Sequence, residues 1–480
     1  MPALPSIREL GEKLRTGEWT VRRVVECCLE HIEALDDRIH AWVLVDRERL
    51  DEAIERSQWE LRVGFDRGPL HGVPVGIKDI IDVAGLPTLA GSSLRKGHTA
   101  EADAPVVHAL REAGAVILGK TVTVEFACFD PSPTRNPWNL DHTPGGSSSG
   151  SAAAVVSHMC LAALGSQTGG SLVRPAAYCG AATWKPTFGR VSTEGVVPVS
   201  FTLDHVGPIA RTVADLVPFE QILPPSDAFG GPGKIAGPLE NLRAFDDETP
   251  RLGFVEEFFF ERATPQVQKA VRRALAQLEQ AGACIEPVRL GCDFEGLQEV
   301  HTKIMAAEAA AWHRPVFEKH ASEYGPMIRS LLERGMAMSA VEYVDALQVL
   351  RRFRGQASTL VEGYDALIMP AAETTAPATL ETTGDKGNQA PWSCAGCRSW
   401  RSPAAWQKTD CPWVSSSSAS TMTTGVCWPL RCGARRCWPS TVCPRWSNRS
   451  GRDRPTGRVG RIGRMGLRGT ALRAYVERFL

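Results

Sequence analysis

Apolar residues in the first 390 positions follow two spacings: the three- and four-residue spacing of helices, and the short continuous runs of buried strands. Thr20 is suited to cap a helix that begins at Val21, because its apolar residues recur on one face as far as Ile32. The same periodicity predicts helices over residues 49–62, 104–113 and 264–282, and a further helix after the capping box formed by Ser339 and Glu342.

Short apolar runs indicate strands between these helices, at residues 74–77, 114–118, 160–164, 283–288 and 365–370. Alternating helices and strands are typical of an α/β fold, in which helices cover both faces of a sheet. No internal repeat and no linker occurs before residue 385. The pattern therefore predicts one large α/β domain over residues 1–393.

The pattern ends near Ser393. Residues 394–480 hold seven of the fourteen cysteines, and seven of the thirteen tryptophans lie from Trp392 onward. Only Asp410, Asp453 and Glu477 are acidic in this stretch, against many arginines. With one permitted choice of codons, the reading frame that starts on the last base of the Ser393 codon encodes an apolar strand and a turn. We interpret residues 394–480 as an aberrant, frameshifted and poorly ordered segment.

Residues 394–480 allow two other interpretations, of which a basic tail stays open and a zinc site is rejected. A disordered basic tail, which could bind nucleic acid, is the simpler alternative to a frameshift. Cys394 and Cys397 have the spacing of half a zinc site, but no matching second pair follows. We therefore expect neither a metal nor a cofactor.

The balance of charge says little about a macromolecular partner. Lysine plus arginine equals aspartate plus glutamate, at 54 each, so no overall field favours nucleic acid or a membrane surface. The N-terminus lacks the apolar core of a signal peptide, and no run of eighteen apolar residues occurs. These features predict a cytoplasmic protein that acts on a small molecule, with a homodimer as one option for its assembly.

The stretch from Gly145 to Ser171 reads GGSSSGSAAAVVSHMCLAALGSQTGGS, two glycine-serine clusters joined by apolar residues. Small residues let the backbone approach a ligand closely, as an oxyanion hole requires, and a serine can supply the nucleophile. Phosphate-binding motifs are absent, and the apolar flanks argue against a flexible linker. The stretch therefore favours nucleophilic serine chemistry.

Such a serine needs a base, and the sequence offers two kinds. Five histidines are available, but none of them belongs to a GxSxG elbow: His71, His98, His142, His158 and His205. Lys78 ends an apolar strand, and burial can lower the pKa of a lysine by up to about 3–5. Most lysines are solvated, so this interpretation depends on the surrounding sequence.

That surrounding sequence resembles the amidase signature family, the Ser-cisSer-Lys amidohydrolases, over roughly residues 5–390. The resemblance lies in the segments 68–79, 119–121, 125–126, 134–139, 145–171, 185–191 and 203–208. It implies a large mixed sheet covered by helices on both faces. It also implies that Ser171 is the nucleophile, Ser147 the relay after a cis peptide bond, and Lys78 the base.

The resemblance further assigns the oxyanion hole to the backbone amides of Thr168, Gly169, Gly170 and Ser171. Gln167 departs from the family, since many members have aspartate there. Arg174 is a tentative substrate-binding residue that could hold a carboxylate through a bidentate pair, although an arginine bonding loop carbonyls is the alternative.

Three functions follow from this resemblance. The first is an amidase that hydrolyses a carboxylic amide to the acid and ammonia through a Ser171 acyl-enzyme. The second is the glutaminase-type subunit of a tRNA-dependent amidotransferase. The third is an inactive product of a frameshifted amidase gene, because family members place late strands in the segment that is scrambled here.

Overall fold

The computed structural model describes residues 3–226, 249–360, 363–397, 399–403 and 425–428. The helices of this part of the chain are α1 Ile7–Thr16, α2 Val21–Ile39, α3 Arg47–Arg62, α4 Pro105–Glu112, α5 Ser149–Val156, α6 Val173–Cys179, α7 Val217–Ile222, α8 Pro265–Gln280, α9 Phe294–His320, α10 Pro326–Ala337, α11 Ala340–Leu360 and α12 Ala390–Ala395. The strands are β1 Trp42–Val45, β2 Pro74–Lys78, β3 Val116–Thr121, β4 Ala162–Gln167, β5 Ala182–Lys185, β6 His205–Ala210, β7 Arg251–Val255, β8 Cys284–Val288, β9 Ala366–Ile368, β10 Ser399–Pro403 and β11 Gly425–Trp428.

The main sheet has eight strands in the order β1-β3-β2-β4-β6-β5-β10-β11. β2 pairs in parallel with both β3 and β4, whereas the other neighbours are antiparallel. Every residue of β2, β3 and β4 is buried, as expected for parallel strands with both faces covered. The expectation of a mixed sheet covered by helices is confirmed, and its most buried strands carry the candidate catalytic segments.

A second sheet has three parallel strands in the order β8-β7-β9. Its own small core contains Leu252, Ala274, Ala366 and Ile368, with α8 packed on it. The sequence predicted β8 and β9 as strands, but it gave no sign that they leave the main sheet. The apolar pattern records burial, and it does not record which neighbour a strand pairs with.

Most predicted elements occur within a few residues of their expected bounds. The Thr20 side chain caps α2 by accepting the Arg23 amide, and the Ser339 hydroxyl accepts the Glu342 amide at the start of α11. The 27-residue helix α9 was not predicted. Its buried residues face α10, α11 and α12 together, so they do not form the single stripe by which periodicity reveals a helix.

Two short strands, β10 and β11, fall inside residues 394–480. β10 pairs with β5 at one side of the main sheet and with β11 on its other side. The remainder of this segment after Pro403, apart from β11, lies outside the described residues. The frameshift and the domain division at residue 393 stay predictions.

Candidate active site

Lys78 is the last residue of β2, in the buried centre of the main sheet. Its Nζ lies 2.6 Å from Ser147 Oγ and 2.8 Å from Ser166 Oγ, and its side chain has no exposed surface. Burial lowers the pKa of Lys78 to about 7, although the nearby Asp204 opposes this effect. A substantial share of the Lys78 side chains is therefore neutral near pH 7, so that Nζ can accept a proton.

Ser147 reaches Lys78 through a turn made by two glycines. Gly145 and Gly146 have φ values of 80° and 58°, in the left-handed region that favours glycine. A Cβ on Gly146 would lie 2.5 Å from Pro175 Cδ and 3.2 Å from Ser171 Cα, so a side chain does not fit there.

The peptide bond between Gly146 and Ser147 is trans, and none of the described residues follows a cis bond. The cis bond implied by the resemblance is therefore not present in this structure. Two consecutive left-handed glycines turn the chain instead and place Ser147 Oγ next to Lys78.

Ser171 lies in the short connection between β4 and α6. Its carbonyl accepts the Ser148 amide at 3.3 Å, and its Cα lies close to Gly146, so its backbone is held against the Ser147 turn. Ser171 is partly exposed, whereas the three residues before it are buried. In the described part of the chain, Ser171 Oγ and Ser147 Oγ share no hydrogen bond. The structure thus joins Lys78 to Ser147 directly and brings Ser171 alongside them.

Residues 168–171 form a loop whose backbone carbonyls are all occupied. In chain order they accept hydrogen bonds from His301 Nε2 at 3.0 Å, Ser393 Oγ at 2.9 Å, the Arg174 amide at 2.9 Å and the Ser148 amide at 3.3 Å. The amides of the same four residues donate to no other described residue. The loop therefore keeps a row of backbone donors available, as an oxyanion hole requires.

The Gln167 side chain forms hydrogen bonds that hold this loop in place. Its Oε1 accepts the amides of Leu172 and Val173, both at 3.0 Å, and its Nε2 donates to Ser393 Oγ at 3.1 Å. Ser393 in turn donates to the Gly169 carbonyl. An aspartate at this position would be shorter and could not donate a hydrogen bond. The carboxamide of Gln167 therefore allows the series of bonds from Gln167 through Ser393 to Gly169.

Arg174 is buried within α6 and is poorly satisfied. Its Nη2 lies 3.4 Å from Thr383 Oγ1, while its Nε and Nη1 have no hydrogen-bond partner among the described residues. Burial lowers the pKa of Arg174, and Tyr178 and Asp385 oppose this effect only from a distance. The side chain bonds no loop carbonyl in the described structure, and buried charges without a partner are unfavourable. An anionic ligand would supply the missing acceptors.

The five histidines considered as a base form no hydrogen bond with Ser147 or Ser171 in the described structure. Ring nitrogens of four of them bond backbone groups: Arg67 for His71, Ala376 for His142, Leu4 for His158 and Gln167 for His205. His71 also lies near the carboxylates of Glu60 and Asp66. Sequence reasoning missed Ser166, His301 and Ser393, which contact Lys78 or the loop. Ser166 stands in the glycine-serine stretch, but the other two are distant in sequence and carry no local motif.

No group of three or more metal-binding side chains occurs among the residues that the structure describes. Within the same residues, no helix has the length and apolar character needed to cross a membrane.

The amidase family model matches residues 23–416. The chain belongs to the amidase signature family. Among its relatives, an amidase from Pseudomonas putida is 35% identical over 76% of this chain and 78% of its own length. The glutamyl-tRNA(Gln) amidotransferase of Lachnospira eligens has a subunit that is 31% identical over 77% of this chain and 83% of its own length.

Solved amidase structures have the same fold. The peptide amidase from Stenotrophomonas maltophilia aligns with a TM-score of 0.74 at 27% identity, covering 88% of this chain and 93% of that one. A chain from a vestigial protein complex, which reveals the origins of an s-triazine catabolic enzyme, aligns with a TM-score of 0.79 at 28% identity, covering 89% and 94%. This amidase is accordingly a hydrolase that acts on C–N amide bonds.

Proposed function

We propose that this amidase hydrolyses a carboxylic amide to the acid and ammonia through an acyl-enzyme on Ser171, with Ser147 as relay and Lys78 as base. The observation that carries the proposal is the contact between buried Lys78 and Ser147, at 2.6 Å. Neutral Lys78 accepts the Ser147 proton, Ser147 accepts the Ser171 proton, and Ser171 Oγ attacks the amide carbon.

The oxyanion that forms in this attack is stabilised by the amides of Thr168, Gly169, Gly170 and Ser171. Their carbonyls are already bonded elsewhere, so the donors need no reorganisation when charge develops. Removing one such donor typically costs about 2.7–4 kcal/mol of transition-state stabilisation. Protonated Lys78 returns its proton through Ser147 to the leaving ammonia, and water then hydrolyses the acyl-enzyme.

The substrate class follows from Arg174. The Nη1 and Nη2 groups of its guanidinium form a fork that can bind a carboxylate bidentately, because Nη1 has no partner among the described residues and Nη2 has only the 3.4 Å contact with Thr383 Oγ1. The proposed substrate is therefore a small amide with a carboxylate at the far end of its acyl chain. Succinamic acid has this chemistry, and butyramide is a neutral amide with an acyl chain of similar length.

The first experiment measures ammonia release from succinamic acid and butyramide by wild type, Ser171→Ala and Arg174→Ala. Ser171→Ala should abolish turnover of both amides, and Arg174→Ala should raise KM mainly for succinamic acid. Ser157→Ala is the matched control, because this buried hydroxyl has no partner among the described residues. Equal losses on the two amides in Arg174→Ala would contradict the carboxylate role.

Trapping tests the acyl-enzyme directly. Wild type that is mixed with substrate and quenched in acid should gain the mass of the acyl group on the peptide containing Ser171. Hydroxylamine should intercept the same intermediate as a hydroxamate. A cooperative thermal transition without turnover or acylation would instead support the inactive product of a frameshifted gene.

The glutaminase-type subunit of a tRNA-dependent amidotransferase is the second candidate. It is favoured by the 31% identical relative from Lachnospira eligens, and glutamine also carries a carboxylate. This function predicts release of ammonia from glutamine in preference to succinamic acid, together with co-purification of partner proteins. Turnover by the isolated chain without a preference for glutamine favours the stand-alone amidase.

A further inference from the structure

A buried histidine and a lysine contact the loop of residues 168–171, here called the oxyanion loop. Neither residue belongs to the sequence segments that resemble the family. His301 lies on α9 with no exposed surface, and its Nε2 is 3.0 Å from the Thr168 carbonyl oxygen. Its Nδ1 is 3.2 Å from Lys386 Nζ, which also donates to Thr302 Oγ1 at 3.1 Å. The three groups form a continuous chain, from Lys386 through the imidazole to the loop.

These contacts determine the tautomer of His301. A carbonyl oxygen only accepts hydrogen bonds, so Nε2 must carry the hydrogen that reaches Thr168. Nδ1 then has a free lone pair, and Lys386 supplies the donor that it needs. Burial and the neighbouring Lys386 lower the pKa of His301 to about 3, so the ring is neutral near pH 7.

The bond to Thr168 orients the next amide in the chain. A trans peptide unit is planar, so the carbonyl of one residue and the N–H of the next point in opposite directions. Holding the Thr168 oxygen therefore aims the Gly169 N–H away from His301. A Cβ on Gly169 would lie 3.2 Å from Lys386 Cδ and 3.3 Å from His301 Cε1, so both side chains also pack against this residue.

We propose that His301, oriented by Lys386, is a positioning residue that aims the Gly169 amide into the oxyanion hole. This inference rests on the proposed function of the loop. It assigns His301 no proton transfer and no contact with substrate. Its contribution is to stop the Thr168–Gly169 peptide from rotating, a motion that would direct a carbonyl oxygen toward the developing negative charge.

Two substitutions of His301 test the proposal. His301→Phe keeps an aromatic ring but removes the donor, whereas His301→Gln retains an N–H donor that can reach the Thr168 oxygen. We expect His301→Phe to lower kcat for butyramide about 10- to 100-fold while KM changes less than about threefold. His301→Gln should recover most of the lost rate.

Binding of propylboronic acid provides a readout that is independent of turnover. Its adduct with the nucleophilic serine is tetrahedral and anionic, so it uses the oxyanion hole, whereas bound butyramide does not develop that charge. The affinity for the boronic acid, measured by calorimetry, should fall in His301→Phe in proportion to kcat. His313→Phe is the matched control, because His313 is a buried histidine of the same helix that bonds Tyr324.

Lys386→Met keeps the test decisive if His301→Phe does not fold. It leaves the imidazole in place but frees its tautomer, so kcat and boronic acid affinity should fall together by several-fold. Wild-type values of both quantities in folded His301→Phe would overturn the inference, as would equal losses in His301→Phe and His301→Gln. An inactive wild type that binds no boronic acid would instead contradict the proposed function itself.

Discussion

Lys120 Nζ lies 3.0 Å from the Asp79 carboxylate, and neither side chain is exposed to solvent. Lys78, the residue before Asp79, is equally buried but forms no ion pair in the described structure. Burial lowers the pKa of both lysines, but Asp79 counteracts the effect for Lys120 at contact distance. Neighbouring strands thus hold one lysine whose charge is stabilised by an ion pair and one whose charge is not, and only the second is suited to act as a base.

The paired lysine should be required for stability. Lys120→Met removes the partner of a buried carboxylate, and breaking a buried ion pair in this way typically costs about 3–5 kcal/mol. We expect the free energy of unfolding in urea to fall by this order, with a smaller loss in the double variant Asp79→Asn/Lys120→Met. A single variant as stable as wild type would show that the pair contributes little.

The unpaired lysine should have the opposite effect. Lys78→Met should remove activity under the proposed mechanism, and it also removes a group whose charged form is disfavoured in the folded state. The pKa of Lys78 is about 7 when folded, against 10.5 for an ordinary lysine. Between these values the unfolded chain binds more protons, so wild-type stability should rise with pH by up to about 1.4 kcal/mol per pH unit.

Lys78→Met lacks this dependence. It should therefore be more stable than wild type at pH 7, by about 1–4 kcal/mol, and this advantage should shrink as the pH rises to 9. Parallel urea unfolding of the two proteins at several pH values measures the difference. A difference that stays constant with pH would mean that Lys78 is charged in the folded protein.

The same pKa predicts the pH dependence of catalysis. kcat/KM for butyramide should rise tenfold per pH unit below about pH 7 and level off above it, as Lys78 loses its proton. Ser166→Ala removes an acceptor of the charged Lys78, so the apparent pKa should move down by up to about one. The plateau should fall about tenfold, because Nζ is then less well oriented toward Ser147. Profiles with the same midpoint would argue against this role of Ser166.

Gln167→Glu tests the hydrogen bonds by which Gln167 holds the oxyanion loop. A carboxylate still accepts the Leu172 and Val173 amides, but it is a buried charge, so thermal stability should fall. It cannot donate to Ser393, whose hydroxyl would then turn toward the new carboxylate and release the Gly169 carbonyl. We expect kcat to fall about tenfold with little change in KM. Ser393→Ala should cause a similar loss that does not add to it, and full additivity would separate the two residues.

The sequence predicted those parts of the site that depend on short segments. A buried strand ending at Lys78 follows from the apolar run before it, and resemblance to the family identified Ser147 and Ser171. His301 and Ser393 were missed because they reach the loop from 133 and 224 residues away. Periodicity along the chain records which residues are buried, but it does not record what they meet.

The apolar pattern likewise located β8 and β9 without revealing their separate sheet. Pairing partners depend on the topology of the whole domain, whereas strand formation depends on a few neighbouring residues. The turn before Ser147 shows the same limit. The two glycines predict an unusual backbone conformation, but they do not tell a cis peptide bond from two left-handed residues.

The hydrogen bonds that hold the oxyanion loop form one after another during synthesis of the chain. A ribosome releases the chain from its N-terminus, so Lys78, Ser147 and Ser171 emerge long before α9 and α12. The Thr168 and Gly169 carbonyls find their partners only when His301 and then Ser393 have emerged. The growing chain would thus carry its proposed nucleophile and base without a finished oxyanion hole, and we expect hydrolysis to begin only once α12 has left the ribosome.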